Sequence, residues 1–99
     1  MSKAYVLANV RVNDPDGYKS SYQDHVSALV QKYHGTFLVR GGNKTDMETS
    51  FPYDRLIVIE FLSRQHAEDW YTDPRYQQLV TNAAPFIERT LVIIDGFTG

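Results

Sequence analysis

The chain contains no cysteine. That excludes a disulfide framework, thiolate catalysis and Cys-ligated zinc or iron–sulfur sites, and it suits a reducing compartment. Clustered basic residues are missing too. Ten Lys and Arg are scattered among twelve Asp and Glu, for a net charge of −2, and phosphate backbones are bound by grouped cations. No stretch approaches the roughly 18 apolar residues of a membrane span. The apolar opening is broken by Asn9 and Arg11 and lacks a small-residue cleavage site, so it reads as a strand and not as a signal peptide. The expectation is a cytoplasmic protein with no membrane or nucleic-acid partner.

Several chemical signatures are absent as well. There is no phosphate loop, dinucleotide fingerprint, paired-Asp signature or Ser-centred elbow. The three histidines, His25, His34 and His66, form no i, i+4 pair and have no carboxylate cluster beside them. No metal site is expected, and no cofactor.

What is present is a short chain with many rings. Its 99 residues suffice for one domain, 1–99, and at this size association with a partner adds useful core. Seven tyrosines outnumber five phenylalanines and one tryptophan, and each buried phenol needs a hydrogen-bond partner.

Ala4 to Val12 reads as a first strand, ended by Asn-Asp-Pro-Asp-Gly. Asp14 before Pro15 is a helix start. Tyr18, Tyr22, Val26, Leu29, Val30 and Tyr33 then trace one helical face, with Gly35 as the expected cap. Thr36–Arg40 and Arg55–Phe61 read as strands two and three. The polar connection between them has room for a short strand pair near Met47. Ser63 caps a second helix, broken and restarted at Asp73-Pro74, and Thr90–Asp95 reads as strand four.

The order β-α-β-β-α-β predicts an α+β, ferredoxin-like fold: a four-stranded antiparallel sheet, order 4-1-3-2, with its helices on one face. Alternation is unclean, leaving Leu7, Leu38, Leu56, Val58, Leu91 and Ile93 on the expected open face. An apolar sheet face of that extent predicts an interface, and the economical partner is a second copy of the chain. Asn9, Arg11, Arg40, Glu60 and Asp95 are placed on that same side. Asn9, Arg11 and Arg40 form a basic pole there, while Glu60 and Asp95 gather near Tyr5.

Ala4-Tyr5-Val6, Val12 to Tyr18, Phe37 to Gly42, Arg55 to Phe61, Ala67 to Tyr71 and Asp73 to Tyr76 together resemble the domain of unknown function 1330 family, within the dimeric α/β-barrel superfamily. The combination Arg-Gly-Gly with Trp-Tyr-x-x-Pro-x-Tyr carries most of the likeness, which spans nearly the whole chain. The resemblance implies a dimer whose two sheets form a barrel, with a pocket between each sheet and its helices. It implies no particular reaction, although related families include cofactor-free monooxygenases, lactone isomerases and haem enzymes. The segment Met47 to Phe51 departs from the family's shorter, Gly-containing turn.

Arg40 is the expected holder of a carboxylate, or else a bridge between subunits. Asn9 and Glu60 are further polar candidates for a ligand. His25, at the margin of the first helix's buried face, is the candidate acid or base, or else a half-exposed surface residue. Tyr18, Tyr22 and Trp70 are expected either as pocket walls or as core. Two functions follow: a dimer that binds a small organic, acidic molecule, or a cofactor-free enzyme of monooxygenase or isomerase type acting on one.

Overall fold

Local chemistry sets where each helix begins. In the computed structural model, which describes residues 2–98, the Asp14 carboxylate accepts from the Gly17 amide at 3.1 Å, and Pro15 opens helix α1, Pro15–Tyr18. Ser63 accepts from the His66 amide and opens α3, Arg64–Thr72. Asp73 accepts from the Arg75 amide at 2.8 Å, and Pro74 starts α4, Pro74–Ala83. Each cap pairs a side-chain oxygen with an amide that has no partner within its helix.

The first helical path is not uniform. After α1 it widens into a π-helical turn, Lys19–Gln23, and resumes as α2, Asp24–Lys32. It ends with His34 in the left-handed region, φ 62°. The His34 amide bonds to the Gln31 carbonyl and the Gly35 amide to that of Val30, the paired closure of a Schellman end. The expected cap, Gly35, is therefore one place too late. Glycine is required there for space: a Cβ would sit 2.7 Å from Phe61 and Val30.

The strands are β1, Ala4–Val12, β2, Thr36–Arg40, β3, Arg55–Phe61, and β4, Ile87–Asp95. They form an antiparallel sheet in the order β2-β3-β1-β4. Ala4, Val6, Ala8 and Val10 of β1 and Ile57, Ile59 and Phe61 of β3 are buried with Val26, Val30, Ala67, Trp70 and Tyr76 from the helices. The core therefore lies between the sheet and one helical layer.

Three expectations are corrected here. First, β4 begins at Ile87, and Leu91 and Ile93 lie opposite Ala8 and Val6, so they face the helices. Asp95, opposite Ala4, goes with them. Val92 and Ile94, 51% and 57% exposed, occupy the open face in their place. The run Leu-Val-Ile-Ile is apolar at either parity, so pairing with β1 decides what alternation cannot. Second, β2 shifts register between Phe37 and Val39, which sets Arg40 opposite Ile57. This bulge turns Arg40 from the open face to the helical face. Third, residues 43–54 contain no strand pair near Met47.

Candidate functional site

A cavity lies between the helical face of the sheet and the first helical path. All four strands contribute to its floor: Val6, Ala8, Val10, Ile57, Ile59, Phe37, Ile87 and Leu91, while Tyr18, Tyr22, Val26 and Trp70 form the roof. Arg40 and Arg89 enter the wall from strands at opposite edges of the sheet. The enclosed space is about 20 Å³, room for a water and not for an organic ring. A larger guest must displace part of the roof, and the π-helical turn that carries Tyr22 forms part of it.

The walls are rich in donors. The Tyr22 hydroxyl lies 2.7 Å from that of Tyr76, which stands behind the lining residues, and Arg89 Nη1 donates to both, at 3.4 and 3.1 Å. Two phenol protons are available, and the bond between the rings uses one of them. The other is left for an acceptor outside the pair. Tyr18 stacks on Tyr22 at 5.4 Å, and fully buried Trp70 has an Nε1–H with no partner among the described residues.

The positive charge is concentrated as well. Arg55 and Arg89 flank Val10 on neighbouring strands, and Arg40 stands one row away, opposite Ile57. Arg55 lies at the margin, against Gly41. A Cβ on that glycine, whose φ is +69°, would sit 2.9 Å from the guanidinium, so the close approach allowed by Gly41 is made by Arg55. None of these three arginines forms an ion pair among the described residues. All three charges act on the Tyr18 phenol and lower its pKa, but burial, aided by Tyr22, raises it further and wins. Burial also pushes Tyr22 well above the ordinary phenol value and raises Tyr76, against the pull of Arg89. These phenols are neutral donors near pH 7. Among the described residues no carboxylate or imidazole lines the cavity, so these walls supply hydrogen bonds and positive charge but no general base.

Four of the residues singled out in the sequence come together here: Arg40, Tyr18, Tyr22 and Trp70. Arg40 spans the mouth, stacking over Phe37 at 4.2 Å and donating to Ser27 Oγ at 3.0 Å and to the Gln23 carbonyl. The other three lie elsewhere. His25 is exposed, its Nε2 2.9 Å from the Ser20 carbonyl, and it does not share the cavity with Arg40. Asn9 lies on the opposite sheet face, buried, and clasps the 43–54 connection through Tyr53 and the Arg55 carbonyl. Glu60, also on that face, meets Lys3 and Tyr5. Arg89, Arg55 and the hydroxyl of Tyr76 escaped sequence reasoning. Arg89 shares the parity of Leu91 and Ile93, so only the pairing of β4 with β1 places it inside.

Among the described residues no group of three or more His, Asp or Glu is placed to hold a metal ion, and no helix is long and apolar enough to cross a membrane. A four-stranded antiparallel sheet in this order, with its helices on one face, defines the ferredoxin-like α+β class. Within it the chain belongs to the domain of unknown function family DUF1330, whose model matches residues 3–97. No curated protein matches it in sequence.

Solved structures share the fold at low identity. A protein of unknown function from Rhodopseudomonas palustris aligns with a TM-score of 0.75 at 14% identity, covering 99% of this chain and 85% of that one. SnoaB, a cofactor-independent oxygenase from Streptomyces nogalater, aligns at 0.61 and 9% identity, covering 100% and 97%. A dimeric ferredoxin-like protein of unknown function from Thermobifida fusca aligns at 0.52 and 17%, covering 94% and 90%.

Proposed function

We propose that this protein binds a small organic anion in the cavity beneath Tyr18 and Tyr22, and that two copies associate through their open sheet faces. One observation carries the ligand reading: Arg40, Arg55 and Arg89 converge on the cavity and its Tyr18 roof with no carboxylate to balance them. Uncompensated guanidinium groups at an apolar, partly buried site favour an anionic guest, held by charge-assisted bonds. The pairing reading rests on apolar residues of the open face, Leu7, Leu56, Val58, Val92 and Ile94, and has a precedent in the dimeric T. fusca neighbour.

The site's chemistry also supports a second reading, turnover of that ligand without a cofactor. Protonated Tyr22 and Tyr76 beside Arg89 would stabilise negative charge developing on a bound oxygen. The substrate would have to supply its own acidity, since the walls hold no base.

Isothermal titration with a panel of small carboxylic acids tests the binding reading. Wild type is expected to bind at least one of them. Arg89→Met, checked for folding by circular dichroism, should bind it about tenfold to a hundredfold more weakly, the loss of a hydrogen-bonded charge. If no acid binds, or if Arg89→Met binds as wild type does, the assignment fails.

A further inference from the structure

We infer that Arg40 is a gate: it bars the mouth of the cavity in the free protein, and the acid group of an arriving guest draws it off. This rests on the anion reading above and specifies how that site opens and to what. Closed, the cavity has room for a water, so an organic guest needs a way in. That way lies at the edge of the sheet. β2 is an edge strand and brings only Phe37 and Arg40 to the wall, where the first helical path faces them with Tyr18, Tyr22 and Val26.

Arg40 bridges that gap. Its Nη1 donates to Ser27 Oγ at 3.0 Å, and its Nη2 reaches the Gln23 carbonyl at 3.5 Å. Each acceptor directly follows a roof residue, Ser27 after Val26 and Gln23 after Tyr22. Among the described residues no other hydrogen bond ties β2 to this helical path. The segment it holds is easily moved. Gln23 ends the π-helical turn, a coil less favourable than the α-helix on either side. The Ser20 and Ser21 hydroxyls turn back onto the Asp16 and Gly17 carbonyls, a pattern that weakens and bends helices. The acceptors of the latch are both neutral, and Arg40 has no carboxylate partner among the described residues. A carboxylate offers the same guanidinium two parallel bonds and an opposite charge, which a hydroxyl and a carbonyl do not. Arg40 therefore leaves the roof for an acid and stays on it for a neutral molecule. Its exposed side chain turns on the Phe37 ring, over which it stacks at 4.2 Å.

The chain contains no cysteine, so a single introduced thiol reports opening. Val26→Cys lies on the cavity wall, at a position 3% exposed, while Ala67→Cys is fully buried outside the cavity and reports unfolding of the core. Methyl methanethiosulfonate, small and uncharged, is the reagent. Without any acid present, Arg40→Met and Ser27→Ala should each speed modification of Val26→Cys by about threefold to tenfold, what one partly exposed hydrogen bond contributes. Modification of Ala67→Cys should not change. Ile57→Cys, on the cavity floor, replaces Val26→Cys if that variant does not fold.

Calorimetry with acetate, propionate and benzoate tests the role of the acid. Those that bind wild type should bind Ser27→Ala about threefold to tenfold more tightly, because the roof no longer competes for Arg40. Unchanged modification of the cavity thiol, equal acceleration of both thiols, or an acid that binds Ser27→Ala no better than wild type overturns the gate and leaves the anion reading intact. Failure of all three acids to bind wild type overturns both.

Discussion

Tyr22 illustrates how burial selects the chemistry of a side chain. Removed from water and set against Tyr76, its phenol holds its proton far above neutral pH despite the adjacent guanidinium. It therefore acts as a donor, and Arg89 remains the only charge in that trio. His34 is a second residue whose conformation carries a cost. Its φ of 62° lies where L-residues with a Cβ are strained and glycine is not. His34→Gly should raise stability by about 0.5–1 kcal/mol, after the greater freedom of glycine in the unfolded chain is offset against the relieved strain. Its ring also packs edge-on against His66 at 5.8 Å, so losing that contact works against the gain. Chemical denaturation of the two proteins decides it, and a less stable variant would show that the ring contact outweighs the strain. The burial of Tyr22 was legible in the helical face it shares, but its meeting with Tyr76 and Arg89 was not, and neither was the strained turn. His-Gly reads naturally as a helix ending on glycine, and whether the left-handed turn falls on the first or second residue depends on where the helix stops.

At the scale of elements, the junction of α3 and α4 is held by one carboxylate. Asp73 is buried, bridges to Arg75 Nε and Nη2 at 3.1 and 2.8 Å, and accepts from Tyr33 of the first helical path at 2.5 Å. Hydrogen bonds from Arg75, then from Tyr33, hold its pKa well below the usual carboxylate range. With the folded value depressed, the group binds protons less readily in the folded state. Its contribution is complete above the unfolded carboxylate pKa of about 3.9 and is lost as pH falls toward the folded value. Urea midpoints between about pH 5 and pH 2.5 should fall more steeply for wild type than for Asp73→Asn. Parallel slopes would remove Asp73 from the acid response. The Asp-Pro pair showed in the sequence as a helix break, but Tyr33, forty positions away, could not be seen to close on it. The β2 bulge is similar: five residues, Thr-Phe-Leu-Val-Arg, carry no local sign that Leu38 drops out of register and delivers Arg40 to the cavity.

For the molecule as a whole, the sheet presents two chemically different faces. The helical face encloses the cavity. The other exposes Val92 and Ile94 beside Leu7, Leu56 and Val58, an apolar surface suited to a symmetric partner. Size-exclusion chromatography with light scattering should give the mass of two chains at micromolar concentration. Val92→Lys combined with Ile94→Lys should give one, because two ammonium groups facing their symmetry mates in an apolar seam cannot be solvated. A wild-type monomer, or a dimer that tolerates both lysines, would rule out pairing through this face.

The order of elements, the helix starts and the layout of the sheet were determined by the sequence itself, through local signals: Asp-Pro and Ser caps, apolar periodicity, and strands rich in β-branched residues. The open apolar face was legible because apolar residues fall on both sides of β1 and β3, more than one covered face can take up. Tertiary structure alone decided which residues share the cavity. Strand parity in an all-apolar run, a one-residue bulge and the meeting of Tyr22, Tyr76 and Arg89 all depend on pairing between segments distant in the chain. That pairing moved Arg40 to the helical side at the cavity mouth, brought in Arg89 and left His25 outside. The absence of cysteine had already limited the site to oxygen and nitrogen groups; packing then chose the donors.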